Sequence, residues 1–286
     1  MRVPLLLTGL LVVATVVACK DAAPPPSDVA GQVNPPVNPP PNGGSTDAGP
    51  RASDTVPRDG GSDGGVMSPG PPSSLGAHAL AFQRQQAPGG VAVLSTPPMS
   101  TATGRRSTIV VSVGRGAISA FAKPTDNKNP LPYPQLGTTH AYTQYPSSGT
   151  ALYALTGAQG GSGHVVSTST PTDDELTLAA VEVVDGRMVQ DFKWNEVAGG
   201  NPITSFAVTT TGPATLVAFW WGDAGVAGEK KATPNNGFTV VESILQSGAL
   251  VQCAVATKTV SAAGTYDVTW TSTPVQGAQL WLAAVQ

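Results

Sequence analysis

Residues 214–222 read ATLVAFWWG, ahead of Asp223-Ala224-Gly225. In a β-strand successive side chains point to opposite faces. Leu216, Ala218 and Trp220 therefore share one face, and Val217, Phe219 and Trp221 share the other. Neither face is polar. Such a strand fits the centre of a sheet covered on both sides. The alternative is that one tryptophan lies outward as a flat platform for sugar rings, with Asp223 as a hydrogen-bonding neighbour and Trp194 and Tyr133 joining the surface.

The same period-two alternation, rich in Val, Thr and Ala and broken by Gly, Pro and Asn, runs outward in both directions. It predicts strands at 79–84 (ALAFQR), 107–114 (STIVVSVG), 117–122 (AISAFA), 140–145 (HAYTQY) and 151–157 (ALYALTG). Others are predicted at 164–170 (HVVSTST), 176–184 (LTLAAVEVV), 203–211 (ITSFAVTTT), 237–245 (GFTVVESIL), 249–260 (ALVQCAVATKTV), 265–273 (TYDVTWTST) and 278–286 (AQLWLAAVQ). No stretch carries the apolar stripe of a long amphipathic helix. Many short strands at close spacing predict an all-β fold, a jelly-roll-like antiparallel β-sandwich, as one domain over 77–286. Small-residue turns recur before Ala214 and Thr265, but no period regular enough for a solenoid or propeller is evident.

The 286-residue chain opens with MRVPLLLTGLLVVATVVAC, one early charge (Arg2) followed by an apolar run. That run is too short to span a bilayer comfortably and suits the apolar region of an export signal. Val16-Val17-Ala18-Cys19 resembles the lipobox of bacterial lipoproteins. The resemblance implies a signal peptide over 1–18, cleavage before Cys19, diacylation of its sulfur, and acylation of the new amino group by a fatty acid such as palmitate. One acyl chain holds a protein only marginally, whereas two or three anchor it stably. The implied partner is a membrane. Lys20, where an inner-membrane retention signal has Asp, points to the outer membrane.

Residues 19–76 follow as a linker dense in Pro, Gly, Ser and Asp, and every aromatic residue lies at Phe82 or beyond. Such a composition cannot bury enough apolar surface to offset its ordering entropy, so a disordered tether is expected. Its reach lies between about 40 Å coiled and about 170 Å extended. The Gly60-Gly61-Ser62-Asp63-Gly64 match to an esterase elbow has no strand before it and no helix after it, and reads as chance.

PTDNKNPLPY (124–133), ALYALTGAQGGSGHVVSTS (151–169) and LTLAAVEVV (176–184) together resemble a broad group of bacterial surface modules with sandwich folds. The resemblance spans about residues 107–184. It implies a non-enzymatic surface or adhesive module and transfers no catalytic residue.

The candidate sites are sparse. Asp126, Asn127 and Asn129 put hard-oxygen side chains within four positions, a weak calcium candidate that competes with an Asx-type turn. Asp173, Asp174 and Glu175 read as a solvated turn. His78, His140 and His164 lack zinc-ligand spacing, so no metal is expected. A Cys–His or Ser–His dyad through Cys253 or Ser162 ranks low, and Cys253 reads as a buried small hydrophobe. Beyond Arg105-Arg106 and Lys230-Lys231 there is no basic cluster, and the chain carries a net charge of −3, which argues against nucleic acid. No cofactor is implied. The sequence thus leads to the expectation of a lipid-anchored, non-catalytic envelope protein for adhesion or glycan contact. The alternatives are a structural lipoprotein whose partner is an envelope protein and, behind it, a polysaccharide hydrolase using two loop carboxylates.

Overall fold

The computed structural model describes residues 72–84, 90–222, 231–245 and 252–286. Cys19, the linker to Pro71 and Asp223 lie outside the described residues. Those described form one compact unit in which every strand pairing is antiparallel.

The strands of the described residues fall into two successive sets of ten. The first set is β1 (Ser74–Gln83), β2 (Val93–Ser95), β3 (Met99–Ser100), β4 (Ser107–Arg115), β5 (Thr125–Asp126), β6 (Gln135–Ala141), β7 (Gly149–Ala158), β8 (Ser162–His164), β9 (Val166–Ser169) and β10 (Leu176–Val184). The second is β11 (Val189–Val197), β12 (Ile203–Thr204), β13 (Val208–Thr210), β14 (Ala214–Gly222), β15 (Lys231–Pro234), β16 (Thr239–Ile244), β17 (Gln252–Val260), β18 (Gly264–Tyr266), β19 (Thr269–Thr273) and β20 (Ala278–Val285).

In the first half the main sheet runs β1-β10-β4-β7-β6, and the smaller sheets are β2-β9-β5 and β3-β8. In the second half the orders are β11-β20-β14-β17-β16, β12-β19-β15 and β13-β18. Each pairing in one half has its counterpart ten strands away in the other. Within a half the first strand pairs with the last, the second with the ninth, the third with the eighth and the fourth with the seventh. This nested pattern is a long antiparallel hairpin wound on itself, the jelly roll. The sandwich expected over 77–286 is thus built from two jelly-roll halves of identical topology.

Side-chain clamps recur with the topology. Asn127 donates its N–H to Val165 O (3.2 Å) while its Oδ1 accepts from Val165 N (3.0 Å). Asn235 does the same to Thr269, at 2.9 and 2.8 Å. Thr96 Oγ1 accepts from Val166 N, as Ser205 Oγ accepts from Val268 N, and each returns its own N–H to that residue's carbonyl. The sequence around them repeats faintly: Lys123-Pro124-Thr125-Asp126-Asn127 against Lys231-Ala232-Thr233-Pro234-Asn235, and Ser169-Thr170-Pro171 against Ser272-Thr273-Pro274.

Three apolar cores stack between the layers. One holds Val111, Val113, Tyr153 and Leu178 under the small sheets of the first half. Another holds Leu216, Trp220, Trp270 and Leu280 under those of the second. The third, with Val110, Leu152, Val181, Phe219, Trp221 and Trp281, lies where the two main sheets face each other. Both main sheets are covered on both faces, which is why β4, β10, β14, β17 and β20 read as near-continuous apolar runs. At the lateral edges, His78 of β1 meets Glu242 of β16 (2.8 Å), and His140 of β6 stacks on Trp194 of β11 (3.7 Å between ring centres).

Several strand expectations change. Of the strand predicted at 140–145 only the first two residues belong to β6, which ends at Ala141, and residues 142–148 form the bends and turns before β7. The strands predicted at 203–211 and 265–273 are each divided between two small sheets. The strand predicted at 117–122 is a short 3-10 turn at Ile118–Ala120. β11, which alternates Asp191, Lys193 and Asn195 with apolar residues, went unpredicted.

Candidate functional site

The aromatic platform expected from the sequence does not form. Trp220 and Trp221 are 0% and 3% exposed, so neither offers a ring to a sugar. Trp220 sits in the core of the second half, and its ring covers Gly222 so closely that any Cβ there would collide with it. Trp221 points the other way, into the core between the main sheets, and its Nε1 donates to Ser112 Oγ (3.0 Å) of the first half. The spacing made Trp220 and Trp221 face opposite ways; two covered faces bury them both. Tyr133 is likewise 0% exposed, and half-buried Trp194 has one face covered by His140.

The calcium candidate resolves as a turn. Asp126 Oδ1 accepts from the backbone N–H of Lys128 (2.7 Å) and Asn129 (2.6 Å), and Oδ2 accepts from Tyr133 OH (2.6 Å). Asn129 Nδ2 bridges both carboxylate oxygens. Asn127 Oδ1 is taken by Val165 N and Asn129 Oδ1 by Gln159 N. Every side-chain oxygen a cation would need already accepts a hydrogen bond, which is the Asx-turn reading. Burial alone would raise the Asp126 pKa. Donation from His164, Tyr133, Lys128 and Asn129 outweighs it and holds the carboxyl well below the usual range.

His164 Nε2 lies 3.2 Å from Asp126 Oδ2, and its Nδ1 lies 3.0 Å from Thr101 Oγ1. The order Thr–His–Asp has the composition of a hydrolase triad. Here His164 is fully buried, and Thr101 Oγ1 accepts from Gly161 N in holding that turn. The cluster therefore locks three connections together and exposes no nucleophile to a substrate.

The acidic stretch before β10 is not a solvated turn throughout. Asp173 is exposed, but Asp174 is buried and pairs with the fully buried Arg115 (2.9 Å). In the second half the positions of Arg115 and Asp174 are taken by Gly222 and Gln276, and the Trp220 ring fills the space above Gly222. Cys253 is buried in the core between the sheets, where burial, with Glu242 adding to it, pushes its thiol pKa up.

The surface offers one further arrangement. A cleft of about 480 Å³ opens at one end of the first half. Its walls are the connection before β4 (Arg105, Arg106), the end of β7 (Thr156, Gly157) and the connection between the halves (Asp185, Arg187). Arg106 grips Asp185 through Nε (3.0 Å) and Nη2 (2.7 and 2.9 Å). Arg105 and Arg187 are exposed, and neither has a carboxylate within ion-pair distance among the described residues. Guanidinium forks match the geometry of carboxylate and phosphate oxygens. The Arg105-Arg106 pair is visible in the sequence; its approach to residues 185–187 is set by β10, whose far end leaves the sheet beside β4.

Among the described residues no group of three or more His, Cys, Asp or Glu side chains is arranged to hold a metal ion. Comparison of the chain with protein-family models, with curated proteins and with solved structures finds no match to any of them.

Proposed function

We propose that the protein is a lipid-anchored, non-catalytic module of the bacterial cell envelope that makes contact with polysaccharide. The lipobox ending at Cys19 and the Pro/Gly-rich linker support an anchor with a long reach, held in the outer membrane. The observation that carries the contact role is the Arg-lined cleft of about 480 Å³, a size suited to a saccharide segment. It stands in place of the tryptophan platform, since both rings are buried. A rigid body with three stacked cores suits display of a fixed recognition surface, and the polar clusters inside it are spent on holding turns.

The test has two parts. Replacement Cys19→Ala should release the protein from membranes in cell fractionation and abolish incorporation of a clickable palmitate analogue. The purified chain on an array of envelope polysaccharides should retain at least one of them. A protein that stays membrane-bound as Cys19→Ala removes the anchor, and an array without any retained polysaccharide removes the contact role.

A further inference from the structure

The internal duplication makes each half a control for the other. Where the first half crosses from β3 to β4 with six residues ending in Arg105-Arg106, the second crosses from β13 to β14 with Thr211-Gly212-Pro213. The jelly roll therefore closes at this corner without a cation and with a shorter connection. Arg106 pairs with Asp185 and Arg105 Nη1 donates to Gly157 O (3.5 Å), but the fold does not require a cation at this corner.

We propose that the cleft between Arg105 and Arg187 binds the carboxylate or sulfate groups of an acidic polysaccharide, an assignment that rests on the polysaccharide-contact reading above. The cleft's three arginines and one aspartate leave an excess of two positive charges. Arg106 and Asp185 neutralise each other, and that pair fixes one wall. Asp185 holds a left-handed φ of 58°. Asp is among the residues that tolerate that conformation, and its carboxylate is held by Arg106. Arg105 and Arg187 then carry the two charges without a carboxylate partner among the described residues. Gly157, at φ +64° on the irregular end of β7, has nothing within 4 Å of where a Cβ would stand, so the floor is open.

Size and charge choose the occupant. A cavity of about 480 Å³ is of the order that holds drug-sized ligands and exceeds a lone inorganic anion. Two unpaired guanidinium groups suit the spaced charges of a polymer. They fall short of the long cationic surface that nucleic acid requires, and the chain as a whole is acidic.

The experiment measures binding of the full-length chain in detergent to dextran sulfate, polygalacturonate, neutral dextran, inorganic sulfate and duplex DNA. The parent should bind at least one acidic polymer, more weakly as salt rises. The double replacement Arg105→Ala/Arg187→Ala should weaken that binding at least tenfold with an unchanged thermal midpoint. Should the double variant lose its thermal transition, Arg187→Ala alone is expected to show a loss of several-fold. Equal affinity of parent and variants overturns the proposal, as does tighter binding of duplex DNA than of either polymer. Saturation by inorganic sulfate at the same concentration of sulfate groups assigns the cleft to a free anion and overturns the polysaccharide. Retention of neutral dextran alone, unaffected by the replacements, sinks the anionic site and leaves the contact role standing. No binding to any polysaccharide fails both.

Discussion

Asp126 shows how much one side chain does when its surroundings are built around it. Its carboxylate is fully buried, accepts from Tyr133, Asn129 and two backbone amides, and lies beside His164. Those donors favour the charged form, so its folded pKa lies below the unfolded value of about 3.9. A carboxyl depressed in this way adds stability above the unfolded pKa, and that contribution fades as pH falls below about 4. Asp126→Asn should lower stability at pH 7 by about 1–3 kcal/mol, since it removes a charged acceptor from a buried cluster. It should also flatten the decline of the urea midpoint between pH 5 and pH 2.5. An unchanged slope in the variant would assign the acid sensitivity to other groups. The same residue explains why the calcium candidate does not hold: a carboxylate already encircled by donors has no lone pair to offer. Tyr133, proposed from sequence for an outer surface, is instead one of those donors.

At the level of elements, the strands differ in how plainly they announce themselves. β14 and β10 were readable because burial on both faces forces nearly every position to be apolar. β11 was not, because it is an edge strand whose Asp191, Lys193 and Glu196 serve loops and solvent. The short strands β2, β3, β5 and β15 carry too few residues for a period to show. They are held by clamps, and here the duplication gives a quantitative expectation. Asn127→Ala and Asn235→Ala each delete a side chain that satisfies one backbone N–H in an equivalent place. Each should cost about 1–2 kcal/mol, and the double variant the sum within about 0.5 kcal/mol, because the sites share no partners. Chemical denaturation of the two single variants and the double variant checks this. A large difference between the two single variants would mean that the clamps are not equivalent.

For the whole molecule the decisive contact is the face between the two main sheets. Trp221 of the second half donates to Ser112 of the first, and Trp281 donates to Thr150 (2.9 Å). Ser73, at the entry to the first half, donates to Val285 O (2.9 Å) in the second. A first half produced alone, residues 72–184, would expose Val110, Leu152, Val181 and Val183 as one apolar face. Such a face drives association, so the fragment should dimerise or aggregate, whereas the whole described unit should sediment without this self-association. A fragment that stays monomeric in analytical ultracentrifugation at tens of micromolar would show that the face is not adhesive.

The sequence by itself determined the class of fold, the positions of the long central strands and the opposed orientation of Trp220 and Trp221. It did so because side-chain alternation and double-sided burial are local properties of a strand. It also set the expectation of an acylated Cys19 and a floppy linker. Only the tertiary structure decided that the sandwich is two jelly rolls, since the matching clamps depend on pairing across distant strands and leave few shared letters behind. It likewise decided that both tryptophans are enclosed and that Arg187 joins Arg105 and Arg106, because what covers a face, and which loops meet at a corner, depends on residues far away in the chain.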